Sequence, residues 1–200
     1  MAAAAFGSME ELSSVRAITS SASASALMLS LPTWRLLFFH KCDRIRLTET
    51  ILAGLVKPGA SFLDIACGSG YAAGLAAELG ANPSVAMDIA VGYLARHARR
   101  TAEIMGAHVL HVAADAHRLP FDPGSFDRVW SANVLYQCRM PTVVVAEIRR
   151  VLKPGGRWLG LERTVPAWMR QREQERMDML NRENGTVERP WTLRDWRTLA

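Results

Sequence analysis

Lysine is nearly missing from this 200-residue chain. It stands only at positions 41, 57 and 153, so almost all of the 24 basic residues are arginine. The net charge of +5 and the pI near 9.6 would suit an acidic partner. The arginines, however, are spread along the sequence, and the tightest group, Arg96, Arg99 and Arg100, falls on one predicted helix. A nucleic-acid footprint concentrates its charge, so nucleic acid is disfavoured as a partner. Cysteine is also scarce. Cys42, Cys67 and Cys138 are an odd set with neither metal-ligand nor disulfide spacing, which points to a reducing compartment and to no bound metal. No apolar run approaches the roughly 20 residues of a transmembrane helix.

The first 33 residues lack the basic start of a signal peptide, and Glu10 and Glu11 stand where transit peptides avoid acids. They read as an Ala/Ser-rich lead, disordered or folded into a cap, with a mild apolar stretch at Ala26-Leu27-Met28-Leu29. A cytoplasmic location is expected, with an organelle address as the alternative. Residues 34–200 then form one domain: a core over 58–162 and a helical segment over 163–200.

What the chain does contain is organised around Phe62-Leu63-Asp64-Ile65-Ala66-Cys67-Gly68-Ser69-Gly70-Tyr71. The apolar first half predicts a strand buried on both faces of a parallel sheet. Gly68 and Gly70 follow as a tight turn, and Ala72 to Leu79 as a helix. Such a turn lets backbone approach a ligand, and the helix N-terminus beyond it favours a negative group.

Further units repeat the alternation. One or two amphipathic helices are expected between Trp34 and Val56. A second strand, Ser84 to Asp88, is followed by a helix from Val91 to Met105, and a third strand by His108 to Ala114. Phe126 to Ser131 gives the fourth, Pro141 opens a helix, Lys153-Pro154-Gly155-Gly156 stops it, and Arg157 to Glu162 gives the fifth. A charged helix over Ala167 to Arg182 and a short one from Thr192 end the chain. Strands alternating with helices of this length predict a Rossmann-like, three-layer α/β/α sandwich with a mainly parallel sheet.

The glycine turn alone leaves two ligands open. Gly68-x-Gly70-x-x-Ala73, with Asp88 twenty residues beyond Gly68, satisfies the dinucleotide fingerprint. An acid after the second strand accepts hydrogen bonds from a ribose diol in either case. Asp115 adds a second acid at the end of the third strand. With the segments Phe126 to Asn133 and Val151 to Gly156 in the same order, the chain strongly resembles the class I S-adenosylmethionine-dependent methyltransferases of the "methyltransferase domain 11" type, over about Thr50 to Glu162.

That resemblance implies S-adenosyl-L-methionine as cofactor and assigns positions around it. Asp64, Ala66, Cys67, Gly68 and Gly70 are similar to the turn around the methionine portion. Asp88 is similar to the acid on the ribose hydroxyls and Ile89 to the residue beside the adenine. Asp115 and Ala116 match the pair at the adenine edge, and Ser131 to Asn133, with Asn133 as the site residue, the strand end beneath the methyl donor. Plainer roles stay open: Asp64 as a helix cap, Asp88 as a turn residue, Asp115 as a loop start, and Cys67 as a small buried residue. His97 is expected at the surface, His117 facing outward, and His108 and His111 as strand residues.

No catalytic base stands out. Tyr136, Gln137 and Cys138 follow the fourth strand where many relatives carry a histidine. Trp34, Phe38, Phe39, Trp168 and Met169 are candidates to line a site for an apolar acceptor, such as a lipid, quinone or secondary metabolite. A nicotinamide oxidoreductase would need a Tyr-x-x-x-Lys pair, which is missing. A nucleic-acid methyltransferase would need Asn-Pro-Pro-Tyr, in whose place Asn133-Val134-Leu135-Tyr136 lacks the prolines, so both are weaker alternatives. Strands six and seven of the family also have no counterpart. The fifth strand is therefore expected to be an open edge, covered by a partner or a second copy, and a cofactor-binding scaffold that is a poor catalyst is the alternative function.

Overall fold

The computed structural model describes residues 16–19, 26–32, 41–92, 94–96, 98, 108–184 and 186–199. Seven strands form one sheet: β1 (Arg16–Thr19), β2 (Ala26–Pro32), β3 (Phe62–Ile65), β4 (Ser84–Asp88), β5 (Val109–Ala113), β6 (Phe126–Ala132) and β7 (Leu152–Thr164). Their order is β1-β2-β7-β6-β3-β4-β5, and every pair except β1–β2 is parallel. The helices are α1 (Lys41–Leu55), α2 (Tyr71–Glu78), α3 (Pro141–Val151), α4 (Arg170–Asn184) and α5 (Leu193–Leu199). Much of the helix expected from Val91 to Met105 lies outside the described residues, as do His97, Arg99 and Arg100.

Period-two alternation along the central strands sorts the core into two layers. Phe62, Trp130, Leu159 and Leu161 pack with Leu52 of α1, Val56 just beyond it, and Ala72 and Ala76 of α2. Leu63, Ile65, Val129 and Trp158 face the other way, against Val144, Val145 and Ile148 of α3 and Trp196 of α5. Small side chains let α2 lie close on the sheet: Ala72, Ala73, Gly74 and Ala76 are all buried. The three-layer arrangement read from the sequence is therefore present, and among the described residues no strand follows Thr164.

The fifth-strand edge differs from expectation. β2 pairs in parallel with β7 from Trp158 through Thr164, so the edge is covered by the chain's own Ala26–Pro32. The reason is general: an apolar strand with an open edge leaves backbone N–H and C=O groups without partners, and any compatible segment within reach satisfies them. The open edge that called for a partner or second copy is therefore corrected, and the lead carries two strands, β1 and β2.

A second difference lies at the predicted stop. Phe126 pairs with Leu152 and Arg128 with Arg157, so Lys153, Pro154, Gly155 and Gly156 bulge out of register inside β7. Gly155 has a φ of +76°, and a Cβ on Gly156 would sit 2.8 Å from the Lys153 carbonyl. Only glycine suits both positions.

The bulge brings Lys153 over the amino end of the sheet, where its Nζ lies 2.7 Å from Asp127 Oδ2. The same oxygen accepts the Ser61 N–H at 3.0 Å and the Ser61 hydroxyl at 2.7 Å. Lys153 first, and then Ser61, hold the Asp127 carboxyl down to about 2. The unfolded chain, with the ordinary value of 3.8, takes up this proton first as pH falls, so the site's stabilisation is present above about pH 4 and is lost toward pH 2. Thermal melts of wild type are expected to fall more steeply from pH 4.5 to 2.5 than those of Asp127→Asn. Equal slopes would refute this assignment.

The loop from Leu119 to Gly124 is held by a clamp that the sequence did not reveal. Arg150 Nε and Nη2 donate to the two oxygens of Glu147 at 2.7 and 2.8 Å, and its remaining donors reach the carbonyls of Leu119 and Phe121. Glu147 in turn accepts the Leu119 N–H at 2.8 Å. This bidentate pair fixes the loop on α3.

Candidate functional site

The carboxyl ends of β3, β4, β5 and β6 lie side by side, and the loops leaving them border one crevice, where open α/β sheets hold their ligands. Two non-glycine residues with positive φ mark it: Ala66 at 53°, just after β3, and Asn133 at 59°, just after β6. A left-handed conformation costs alanine of the order of 1 kcal/mol, and such strain gathers at ligand sites.

Behind Ala66 the turn is stitched to β4. The Cys67 N–H donates to the Met87 carbonyl at 2.9 Å, and the Gly68 N–H to Asp88 Oδ2 at 2.9 Å. Asp88 Oδ1 accepts the Ala90 N–H at 2.9 Å, and the Asp88 carbonyl accepts the Ala114 N–H at 3.1 Å. One residue thus ties together the loops after β3, β4 and β5. Gly70 begins α2 with φ 69° and ψ 10°. At Gly68, φ +50°, a Cβ would have no atom within 4 Å, so open space lies directly above the turn.

Asp64 points from β3 toward α2 and is fully buried. Burial raises its carboxyl to about 8, opposed by the Ala73 N–H and assisted by the Asp88 charge. Its Oδ2 is buried with no partner. Its hydrogen bond to the Ala73 N–H, in the first turn of α2, fits the helix-cap reading. Burial, followed by the charges of Asp64 and Asp88, pushes the Cys67 thiol up and so disfavours the thiolate.

Asp115 stands at the crevice rim with its side chain half exposed. Its Oδ1 accepts the His117 N–H at 2.9 Å and faces His117 Nδ1 at 2.7 Å, and these contacts hold its carboxyl below the usual range. The Met140 N–H donates to His117 Nε2 at 3.3 Å, so the ring proton sits on Nδ1 and is given to Asp115. His117 is therefore not outward-facing, as the sequence suggested, but a strap between the Asp115 loop and the start of α3. Ala116 packs against the core, while Ile89 stands 69% exposed at the rim.

The other expected residues are distributed unevenly. The Ser131 hydroxyl accepts the Trp158 indole N–H at 3.0 Å and serves the core. Tyr136 and Cys138 are buried in the core beside α3, and burial raises the Cys138 thiol to about 11. Trp168 is 83% exposed. Trp34, Phe38 and Phe39 lie outside the described residues, and nothing is described of the Cys42 side chain. Among the described residues no group of His, Cys, Asp and Glu could hold a metal ion, and no helix is long and apolar enough to cross a membrane.

One residue that shapes the end of β6 was missed by the sequence reading. Glu162, at the carboxyl end of β7, is fully buried and accepts the N–H groups of Val134 at 3.1 Å and Leu135 at 3.0 Å. The Tyr136 N–H also stabilises its charged form, yet burial dominates and lifts the carboxyl to about 8. It fixes the turn after β6, immediately beyond the strained Asn133. An acid directly after the apolar run Trp158-Leu159-Gly160-Leu161 was the available signal.

A doubly wound sheet with this turn, this strand-end acid and a strained β6 end defines the class of nucleotide-cofactor folds. The methyltransferase-domain family model matches residues 63–159. The demethylmenaquinone methyltransferase of Parafrankia sp. (strain EAN1pec) is 36% identical over 141 residues, covering 63% of this chain and 55% of that protein. The malonyl-[acyl-carrier protein] O-methyltransferase of Marinomonas sp. (strain MWYL1) is 36% identical over 95 residues, covering 47% of this chain and 34% of its own length. A solved structure from Bacillus halodurans C-125, described as that of a candidate methyltransferase, superposes with a TM-score of 0.67 at 26% identity, covering 78% of this chain and 65% of that one. Across residues 63–159 the chain is therefore similar to these methyltransferases in sequence and in fold. It spans about half the length of the first of these curated relatives.

Proposed function

We propose that the crevice binds S-adenosyl-L-methionine and that the chain transfers its methyl group to a small-molecule acceptor. The observation that carries the proposal is the open space above Gly68, bordered by Asp88. Each Asp88 oxygen holds one backbone N–H and has lone-pair capacity left for a ribose hydroxyl. A substituent at Gly68 would stand in the volume the cofactor needs, which accounts for glycine there. The α2 N-terminus beyond Gly70 suits a carboxylate. Ile89 and Ala116 supply apolar flanks for the adenine, Asp115 an acceptor for its amino group, and Asn133 a backbone carbonyl near the sulfur. Asp64, Ala66 and Cys67 shape the wall beside the methionine portion.

When bound, the cofactor would supply an electrophilic methyl carbon, to which the acceptor's nucleophile bonds as the thioether sulfur leaves on the opposite side. This chain's own contribution is alignment and exclusion of water, which in favourable cases supplies about 7–11 kcal/mol of barrier reduction. No base is assigned: His117 has both ring nitrogens engaged, and burial disfavours the thiolates of Cys67 and Cys138. The acceptor is proposed to be an apolar small molecule such as a quinone, lipid or secondary metabolite. The names of the relatives, which act on a demethylmenaquinone and on a malonyl-carrier protein, support a small-molecule or acyl acceptor.

Calorimetric titration with S-adenosylmethionine and with NAD tests the cofactor, and transfer of labelled methyl to quinones, phenols, acyl carriers and RNA tests the reaction. Binding of the first ligand alone, with label in a small acceptor, is expected. NAD binding would overturn the cofactor reading, and cofactor binding without transfer to any acceptor would leave a binding protein rather than an enzyme.

A further inference from the structure

The segment joining α4 to α5 crosses the carboxyl ends of β6 and β7. The Arg189 N–H donates to the Tyr136 carbonyl at 3.1 Å, and the Val165 N–H to the Trp191 carbonyl at 2.9 Å. The segment is thereby fixed both to the turn after β6 and to the end of β7, at the ligand-binding end of the sheet. Between it and the two helices lies a cavity of about 240 Å³, lined by Arg170, Gln174, Arg189, Pro190, Trp191 and Asp195. None of these residues belongs to the crevice assigned to the cofactor.

Most polar groups of the cavity are already engaged. Asp195 Oδ2 accepts the Thr192 N–H at 2.8 Å and the Thr192 hydroxyl at 2.7 Å, and Arg170 reaches the same carboxylate at 3.3 Å. The charge of Arg170 is thus balanced within the wall. Gln174 donates its amide to Asp178 at 2.7 Å. Arg189 differs: among the described residues its guanidinium has no acidic partner, so the cavity carries one uncompensated positive charge. Beside it, Trp191 is stacked on the fully buried Trp196, with ring centroids 4.4 Å apart and planes at 21°. The Trp191 ring is therefore a fixed surface.

A free planar guanidinium matches a carboxylate with two parallel hydrogen bonds, and a fixed indole supports a flat ring. The volume is below the roughly 300–1,000 Å³ of sites that enclose a whole drug-sized ligand, so it suits one end of a molecule. We propose that this cavity is the acceptor subsite and takes a carboxylate-bearing aromatic group, with Arg189 pairing the carboxylate and Trp191 supporting the ring. Naming the ligand an acceptor rests on the methyl-transfer reading; the binding chemistry does not.

The probes are benzoate and its neutral isostere benzamide, followed through the Trp191 indole N–H resonance, which Trp191→Phe identifies. Benzoate is expected to shift this resonance and to bind about tenfold more tightly than benzamide, since a charge-assisted bidentate pair contributes on the order of a tenfold preference. Arg189→Gln should remove that preference, leave benzamide binding unchanged and leave S-adenosylmethionine titrations as in wild type. Equal binding of the two probes, an unshifted Trp191 resonance, or undiminished benzoate binding by Arg189→Gln would overturn the proposal. Failure of S-adenosylmethionine to bind while benzoate behaves as expected would sink the methyl-transfer reading and leave the anion site standing.

Discussion

Asp88→Ala is expected to weaken S-adenosylmethionine binding about 100-fold or more, since two hydrogen bonds to a charged carboxylate contribute roughly 1.5–3 kcal/mol each. The loss has two sources that a second variant separates. Asp88 accepts the N–H groups of Gly68 and Ala90, so its removal also loosens the turn on which the cofactor would rest. Asp88→Asn keeps one acceptor oxygen for Gly68 while losing the charge, and its affinity is expected between wild type and Asp88→Ala. Calorimetry measures both. An alanine variant with wild-type affinity would remove Asp88 from the ribose role.

Glu162 carries the second large effect, on stability. Glu162→Ala leaves the N–H groups of Val134 and Leu135 without their acceptor in a dry interior, at a cost of about 3 kcal/mol in all. Glu162→Gln retains an acceptor oxygen of the same shape and should fold nearly as wild type. The pH dependence distinguishes the charge from the shape. Folding raises the carboxyl from 4.5 to about 8, and that of Asp64 from 3.8 to about 8. In this window the unfolded chain has released both protons and the folded chain has not, so stability falls as pH rises from about 4 to 8. Wild-type melting temperature is therefore expected to be higher at pH 6 than at pH 8.5, with a shallower decline in Glu162→Gln and a nearly flat profile once Asp64→Asn is added. A wild-type profile that rises toward pH 8.5 would contradict burial as the dominant influence on these two acids.

Asp88 and Glu162 also show what the sequence could reveal. Asp88 was legible because strand periodicity, the glycine turn and a fixed spacing all bear on it, and each is local. The layers were legible from the regular succession of strands and helices, whereas the face to which each residue of Phe62–Ile65 and Phe126–Ala132 turns shows only in the fold. Glu162 was not legible, since an acid near the end of an apolar strand reads equally well as a solvated terminus. What buries it is the turn at 134–136, supplied by a different strand. His117 was misjudged in the same way, because its second partner, Met140, lies 23 residues away. The apolar character of Ala26-Leu27-Met28-Leu29 was visible, but its partner strand begins at Leu152 and no local pattern connects the two.

The β2–β7 pairing has a consequence for how the chain is made. Ala26 lies opposite Trp158, so one of the earliest strands to be synthesised meets its partner only after more than 130 further residues have been added. At about 5–20 residues per second, that interval is about 7–26 seconds. Throughout it, β2 can pair with β1 but its other edge has no partner, and closing so long a loop slows its eventual docking further. Among the described strands β2 is thus the most exposed to mispairing while the chain is growing, and the glycines of the β7 bulge lie just upstream of where its partner residues emerge.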